Sequence, residues 1–238
     1  MIDSAMTKQE FLASLKPTYS LVKAIKSNEN YHVYRFRNVK QNKDIIIRYY
    51  QTPQAAYEEL CPISCENLPL IYDVIPLDDG QIVLEEYIEG LTIADAMECE
   101  KYRYKGAKQV IRAVCNALSV LHRRGIIHRD VKPENVIIDK NGRVVLIDFN
   151  AARKVTNAGK DTVVMGTVGY ASPEQLGLRE SDPRTDIYAL GVMLNVMLTG
   201  KHPSEKIAKG RAGRVVRKCT NVNPDERYAS AEKLARAL

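Results

Sequence analysis

Before Gly90 the apolar residues of this chain come in short, β-branched runs bounded by polar turns; after it they recur at helical spacing. This change of period constrains the fold more than any other feature. A period of two lays side chains on the face of a sheet, and a period of about 3.6 lays them along one stripe of a helix.

The strand-like runs are "YSLVKAI" (19–25) and "YHVYRFRNV" (31–39), split by the polar turn "KSNEN". "DIIIRYYQ" (44–51) follows, and "LPLIYDVI" (68–75) and "QIVLEEY" (81–87) are joined by the turn "PLDDG". Pro53 opens a short helix, "PQAAYEEL" (53–60), at a position where proline is tolerated. Thr7 and Glu10 form a capping-box pattern ahead of Phe11, Leu12 and Leu15, so a helix is expected near residues 7–15.

Past Gly90, Thr92 and Asp95 cap "LTIADAM", and residues 104–125 carry Val110, Ile111, Val114, Ala117, Leu118 and Leu121 at helical spacing up to Gly125. "DIYALGVMLNVMLTG" (186–200) is apolar on nearly every side, which marks a buried helix. A helix near residue 213 and a last amphipathic one, "SAEKLARAL", complete the chain. The expected fold class is α+β: a small five-stranded antiparallel sheet with one helix over 1–86, and a mainly helical part over 87–238.

With 45% apolar and 27% charged residues, the composition is that of a globular protein. No apolar run approaches the roughly 18 residues that a membrane span needs, and the N-terminus lacks the pattern of a secretory signal. Five scattered cysteines, an odd number, suit a reducing cytoplasm. The net charge of +6 is concentrated late, as in "KIAKGRAGRVVRK" (206–218). No aromatic interrupts that run, so it reads as a solvated face and no nucleic acid is expected. The stop at Leu238, just inside the last helix, leads us to expect either a trimmed piece or a longer parent chain.

The chemistry concentrates in "HRDVKPEN" (128–135) and "VVLIDFN" (144–150). "VIID" and "VVLID" read as a hairpin about "KNG" (140–142), which brings Asp130, Lys132, Asn135 and Asp148 to one surface. Two carboxylates, an amide and a lysine are what phosphoryl transfer from a metal–nucleotide requires. One carboxylate takes a hydroxyl proton, the other binds Mg²⁺ with the amide oxygen, and the lysine offsets phosphoryl charge.

On these residues the chain resembles a eukaryotic-type serine/threonine protein kinase, whose HRDxKxxN signature it matches without a gap. "GTVGYASPEQ" (166–175) resembles the end of an activation segment and "DIYALG" (186–191) its structural support. The resemblance implies a bilobal fold, Asp130 as base, Lys132, Asn135 and Thr167 beside it, and Asn135 and Asp148 as Mg²⁺ ligands. It also implies Asp186 holding the catalytic loop and Arg227 pairing with Glu174. For ATP it implies Val33, Ile46, Glu86, Ile88 and Ile137 around the base. The substrate would be a protein serine or threonine, with autophosphorylation at Thr156 or Thr162 opposite Arg129.

The first part departs from the family pattern. Lys26, Asn28 and Tyr31 fall where three phosphate-loop glycines belong. Arg48 stands for the lysine, which it replaces in charge but not in shape, with Glu58 as its expected partner and Glu59 the alternative. Glu85 falls at the back of the adenine position, free to pair with a nearby base or to reach solvent. Asn150 replaces a glycine and is expected to restrict a backbone flip while leaving Asp148 in place. These departures keep a second function open: a pseudokinase that binds nucleotide or partners with little transfer. A small-molecule phosphotransferase is a third, disfavoured by the activation-segment motif.

Overall fold

The computed structural model describes residues 6–155, 167–176 and 180–238. It divides into two compact units: one through Ser64 together with Pro69–Ile88, the other Cys65–Leu68 with Glu89–Leu238.

The first unit is a five-stranded sheet, wholly antiparallel, in the order β1-β2-β3-β5-β4. Its strands are β1 (Tyr19–Ser27), β2 (Tyr31–Asn38), β3 (Lys43–Tyr50), β4 (Ile71–Leu77) and β5 (Gly80–Glu86). Alternation divides the sheet into two faces. On one, Phe36, Ile47, Tyr49 and Ile82 form a core with Phe11 of helix α1 (Lys8–Leu15). Thr7 caps α1 through a complete capping box with Glu10, and Leu12 and Leu15 pack on the same core. The other face carries Val33, Ile46, Arg48 and Glu85, as the registers Val33↔Arg48 and Ile46↔Glu85 require. Tyr50 shares it and meets Tyr57 of α2 (Ala55–Leu60), hydroxyl to hydroxyl at 3.0 Å. α2 begins two residues after Pro53, with Gln54 at its N-cap.

The second unit holds α3 (Ile93–Cys99), α4 (Tyr104–Arg123), α5 (Pro183–Thr199), α6 (Gly210–Cys219) and α7 (Ala231–Ala237). The apolar stripe of α4 is buried at each of its six expected positions. α5 buries twelve of its seventeen residues, which explains its lack of a polar face. Two small sheets accompany the helices: β6 (Gly90–Thr92), β8 (Val136–Asp139) and β9 (Val144–Leu146) in the order β6-β8-β9, and β7 (Ile126–Ile127) beside β10 (Arg153–Lys154). The hairpin β8–β9 turns on Asp139, whose carboxylate accepts the N–H groups of Asn141 and Arg143 at 2.8 and 2.9 Å.

Candidate active site

The loop 128–135 hangs on one buried carboxylate. Asp186, fully buried on α5, accepts the backbone N–H of His128 at 3.0 Å and of Arg129 at 2.8 Å, and the His122 ring at 2.8 Å. Burial pushes its carboxyl up, but His122 and the other donors outweigh this and hold it below the usual range. Two fixed N–H groups let Arg129 adopt a left-handed backbone (φ 63), which turns the chain toward Asp130. Gln175 secures the same residue by donating to the Arg129 carbonyl at 2.8 Å.

Asp130 is the centre of a closed network. One carboxylate oxygen accepts the Thr167 hydroxyl at 2.6 Å; the other accepts Lys132 Nζ at 2.8 Å and Asn135 Nδ2 at 2.9 Å. Lys132 Nζ also donates to Thr167 Oγ1 at 2.6 Å, closing a triangle. Burial raises the Asp130 carboxyl, yet the hydrogen bonds from Lys132 and Thr167, with the Lys132 charge, leave it depressed. It is therefore an ionised acceptor at neutral pH.

Asn135 donates a second time, to the Asp130 carbonyl at 2.8 Å. With its nitrogen held twice, its amide oxygen points the other way. The Ile147 N–H donates to the Asn135 carbonyl at 2.9 Å, which brings the neighbouring Asp148 beside Asn135. An amide oxygen and a carboxylate are donors of the kind that fit Mg²⁺, a hard cation. Asp148 takes a left-handed backbone (φ 68), whereas Asn150 does not. The tolerance expected of Asn150 is thus unused in this conformation, and the unusual backbone belongs to the metal-ligand candidate. Phe149, buried, sets its ring edge-on to His128 at 5.2 Å between centroids.

Glu174 and Arg227 form a bidentate buried pair at 2.6 and 2.9 Å, and Thr185 adds a hydroxyl at 3.0 Å. Thr156 and Thr162 lie outside the described residues.

In the first unit, Val33, Ile46 and Arg48 share one face of the sheet. The expectation of Glu58 as partner of Arg48 needs correction; Glu59, the alternative, is half-buried on the same helix. Glu58 is exposed on α2, since Ala56, Tyr57 and Leu60 take its buried side. Glu85 of β5 holds Arg48, accepting from Nε at 2.7 Å and Nη2 at 3.1 Å, with both residues almost wholly buried. Of the two fates the sequence allows Glu85, pairing or reaching solvent, the register decides: its pair with Ile46 lies two places along from Arg48↔Val83, on the same face of the sheet. Glu86 anchors the end of β5, its N–H donating to the Leu70 carbonyl at 2.8 Å and its carboxylate accepting the Leu70 N–H at 3.0 Å. Ile88 is buried in this unit, and Ile137 lies half-buried on β8 in the other.

The β1–β2 turn is closed by a side chain. Asn28 Oδ1 accepts the N–H groups of Asn30 and Tyr31 at 2.9 and 2.8 Å. The turn's own side chain takes backbone donors that a glycine loop would turn outward.

The protein kinase domain model matches residues 18–237. The chain belongs to the protein kinase family. It is 35% identical over 167 residues to a probable serine/threonine-protein kinase of Clostridium perfringens, covering 69% of this chain and 24% of that protein. It is 35% identical over 179 residues to serine/threonine-protein kinase PknB of Mycolicibacterium smegmatis, covering 71% and 26%. Serine/threonine-protein kinase D of Synechocystis is 29% identical over 225 residues, 84% of this chain and 44% of that one. The kinase domain thus spans from a quarter to under half the length of these curated relatives.

Proposed function

We propose that this kinase domain transfers the γ-phosphoryl group of ATP to serine or threonine hydroxyls of protein substrates. The observation that carries the proposal is the closed hydrogen-bonded triangle of Asp130, Lys132 and Thr167. Asp130 is ionised, oriented by three donors, and able to take the proton of an attacking hydroxyl. As the new oxygen–phosphorus bond forms and the bond to the leaving ADP breaks, Lys132 supplies positive charge beside the reacting oxygens. The contact of Thr167 with both residues, and the names of the relatives, support serine/threonine over tyrosine acceptors.

Asn135 and Asp148 would hold Mg²⁺, which when bound neutralises phosphate charge. In the first unit, Val33 and Ile46 offer apolar surface to the base and Arg48, oriented by Glu85, a guanidinium to phosphate. Because Asn28 occupies the N–H groups of its turn, Arg48 carries more of the phosphate recognition than its lysine counterpart does in kinases with a glycine loop. Autophosphorylation at Thr156 or Thr162 belongs to the same proposal. All five cysteines are free, which supports a reducing, cytoplasmic setting, and no described helix is long and apolar enough to cross a membrane.

The test is transfer of labelled γ-phosphate to a basic acceptor protein and to the chain itself, with Asp130→Asn alongside. Transfer that disappears in the variant while ATP affinity persists is the expected result. Absence of transfer from folded, ATP-bound parent protein would overturn it and leave a pseudokinase.

A further inference from the structure

A second built feature lies where α5 gives way to α6. α5 ends at Thr199, and Gly200 turns the chain in the left-handed conformation (φ 69). The loop that follows is fixed from beneath by one fully buried side chain, Asn195. Its Nδ2 donates to the carbonyls of Lys201 at 2.8 Å and Lys206 at 2.7 Å, and its Oδ1 accepts the Ala208 N–H at 2.9 Å. A Cβ on Gly213 would come within 1.9 Å of the Ala208 carbonyl oxygen, so glycine is what lets α6 lie against this loop.

Between this loop, the start of α4 and the end of α5 is a cavity of about 480 Å³. Tyr104 and Ile207 give it apolar lining, and Lys101, Lys206, Lys209 and Arg211 surround it, all four exposed. Among the described residues none of these four cations forms an ion pair. The segment 206–218 supplies six basic residues and no acidic one. A solvated basic face needs no cavity, and a cavity closed only to water needs no ring of cations; here the two coincide on a loop held in one shape.

We propose that this cavity is a docking site for an acidic protein segment with one large apolar side chain. The apolar lining takes that side chain, and flanking carboxylates reach the four cations. Electrostatic complementarity of this kind steers encounter and fixes register. A concavity walled by a fixed loop admits a protruding side chain better than it admits a flat lipid surface. As the docking point of a protein substrate the proposal rests on the kinase reading above; as an acid-binding cavity it does not.

The probe is a fluorescein-labelled glutamate-rich peptide with one central phenylalanine, titrated with the whole chain in the absence of nucleotide. Its anisotropy should report saturable binding that weakens with salt. Lys206→Glu combined with Lys209→Glu, both exposed, should weaken it by about tenfold or more. Replacing the phenylalanine by alanine, or the glutamates by glutamines, should do the same. Equal binding of the phenylalanine-free peptide overturns the proposal, because charge alone would then suffice. So does an unchanged affinity in the charge-reversed variant, or binding only to phosphatidylserine–phosphatidylcholine vesicles. A second arm fuses the same segment to a serine acceptor peptide. Charge reversal should raise KM for the tailed peptide and leave kcat, and the untailed peptide, unchanged. Peptide binding without any transfer would refute the kinase reading and leave the docking site standing.

Discussion

Arg48 and Glu85 are diagonal neighbours on adjacent strands of the sheet and share two hydrogen bonds, 2.7 and 3.1 Å, in a site nearly closed to water. A buried ion pair of this geometry is specific more than it is stabilising, since desolvation offsets much of the attraction. Removing the Glu85 carboxylate takes two hydrogen bonds from a buried guanidinium. Glu85→Gln should therefore destabilise the fold by about 3–5 kcal/mol, and Arg48→Met joined to Glu85→Leu should recover most of that loss. Urea unfolding of the single and double variants measures the coupling; costs that merely add would contradict it. Arg48→Lys, which cannot make the fork, should lower ATP affinity rather than raise it.

Thr167 donates to Asp130 and accepts from Lys132. Thr167→Val removes both contacts and should lower kcat by about tenfold or more, and Thr167→Ser should restore it. The hydroxyl also helps hold the Asp130 carboxyl down. Its loss should therefore move the acid limb of the pH–rate profile to higher pH, a shift that a purely structural defect would not produce.

Glu174 and Arg227 are the second buried pair, and the Arg227 guanidinium also donates to three backbone carbonyls, of Arg184, Asn221 and Val222. Arg227→Met should cost about 3–5 kcal/mol by leaving Glu174 uncompensated. Glu174→Gln should cost less, because the backbone acceptors still serve the guanidinium. Thermal unfolding of the two variants ranks them.

Burial presses His128 below its ordinary value of 6.5, with Asp186, Asp130 and Asp148 pulling the other way. The folded state holds this ring neutral. Its contribution to stability is complete above about pH 6.5 and is lost as pH falls toward the depressed value, because the unfolded chain binds the proton first. Tm should decline through this window, and His128→Asn should flatten the decline. His32 is depressed in the same direction, so the difference between parent and variant is the quantity to read.

Much of this was legible from residue order. The five strands, the capping boxes at Thr7 and Thr92 and the buried stripe of α4 follow from local pattern, and the pairing of Glu174 with Arg227 from the family resemblance. What the sequence left open depends on register or on non-local pairing. β7 and β10 are two residues each and exist only because Ile127 and Arg153 pair across a long connection. β6 is set by β8, not by its own composition. Glu58 suits Arg48 by its place on the expected helix; the bond to Glu85 depends on how β3 and β5 align, which spacing along the chain does not give. The turn at Asn28 shows the reverse case, where a single side chain satisfies a loop that motif matching reads only as a missing glycine.

Helix α1 ends at Leu15, ahead of residue 18, where resemblance to the protein kinase domain begins. Yet Phe11 belongs to the same core as Phe36, Ile47, Tyr49 and Ile82. The inherited boundary of the family and the physical boundary of this unit are therefore different places. A version begun at Thr18 would keep every motif and lose the cover of one sheet face, laying four large side chains open to water and to other chains. Expression trials that trim to the homologous segment should yield aggregates, while those that retain the capped helix should yield monodisperse protein.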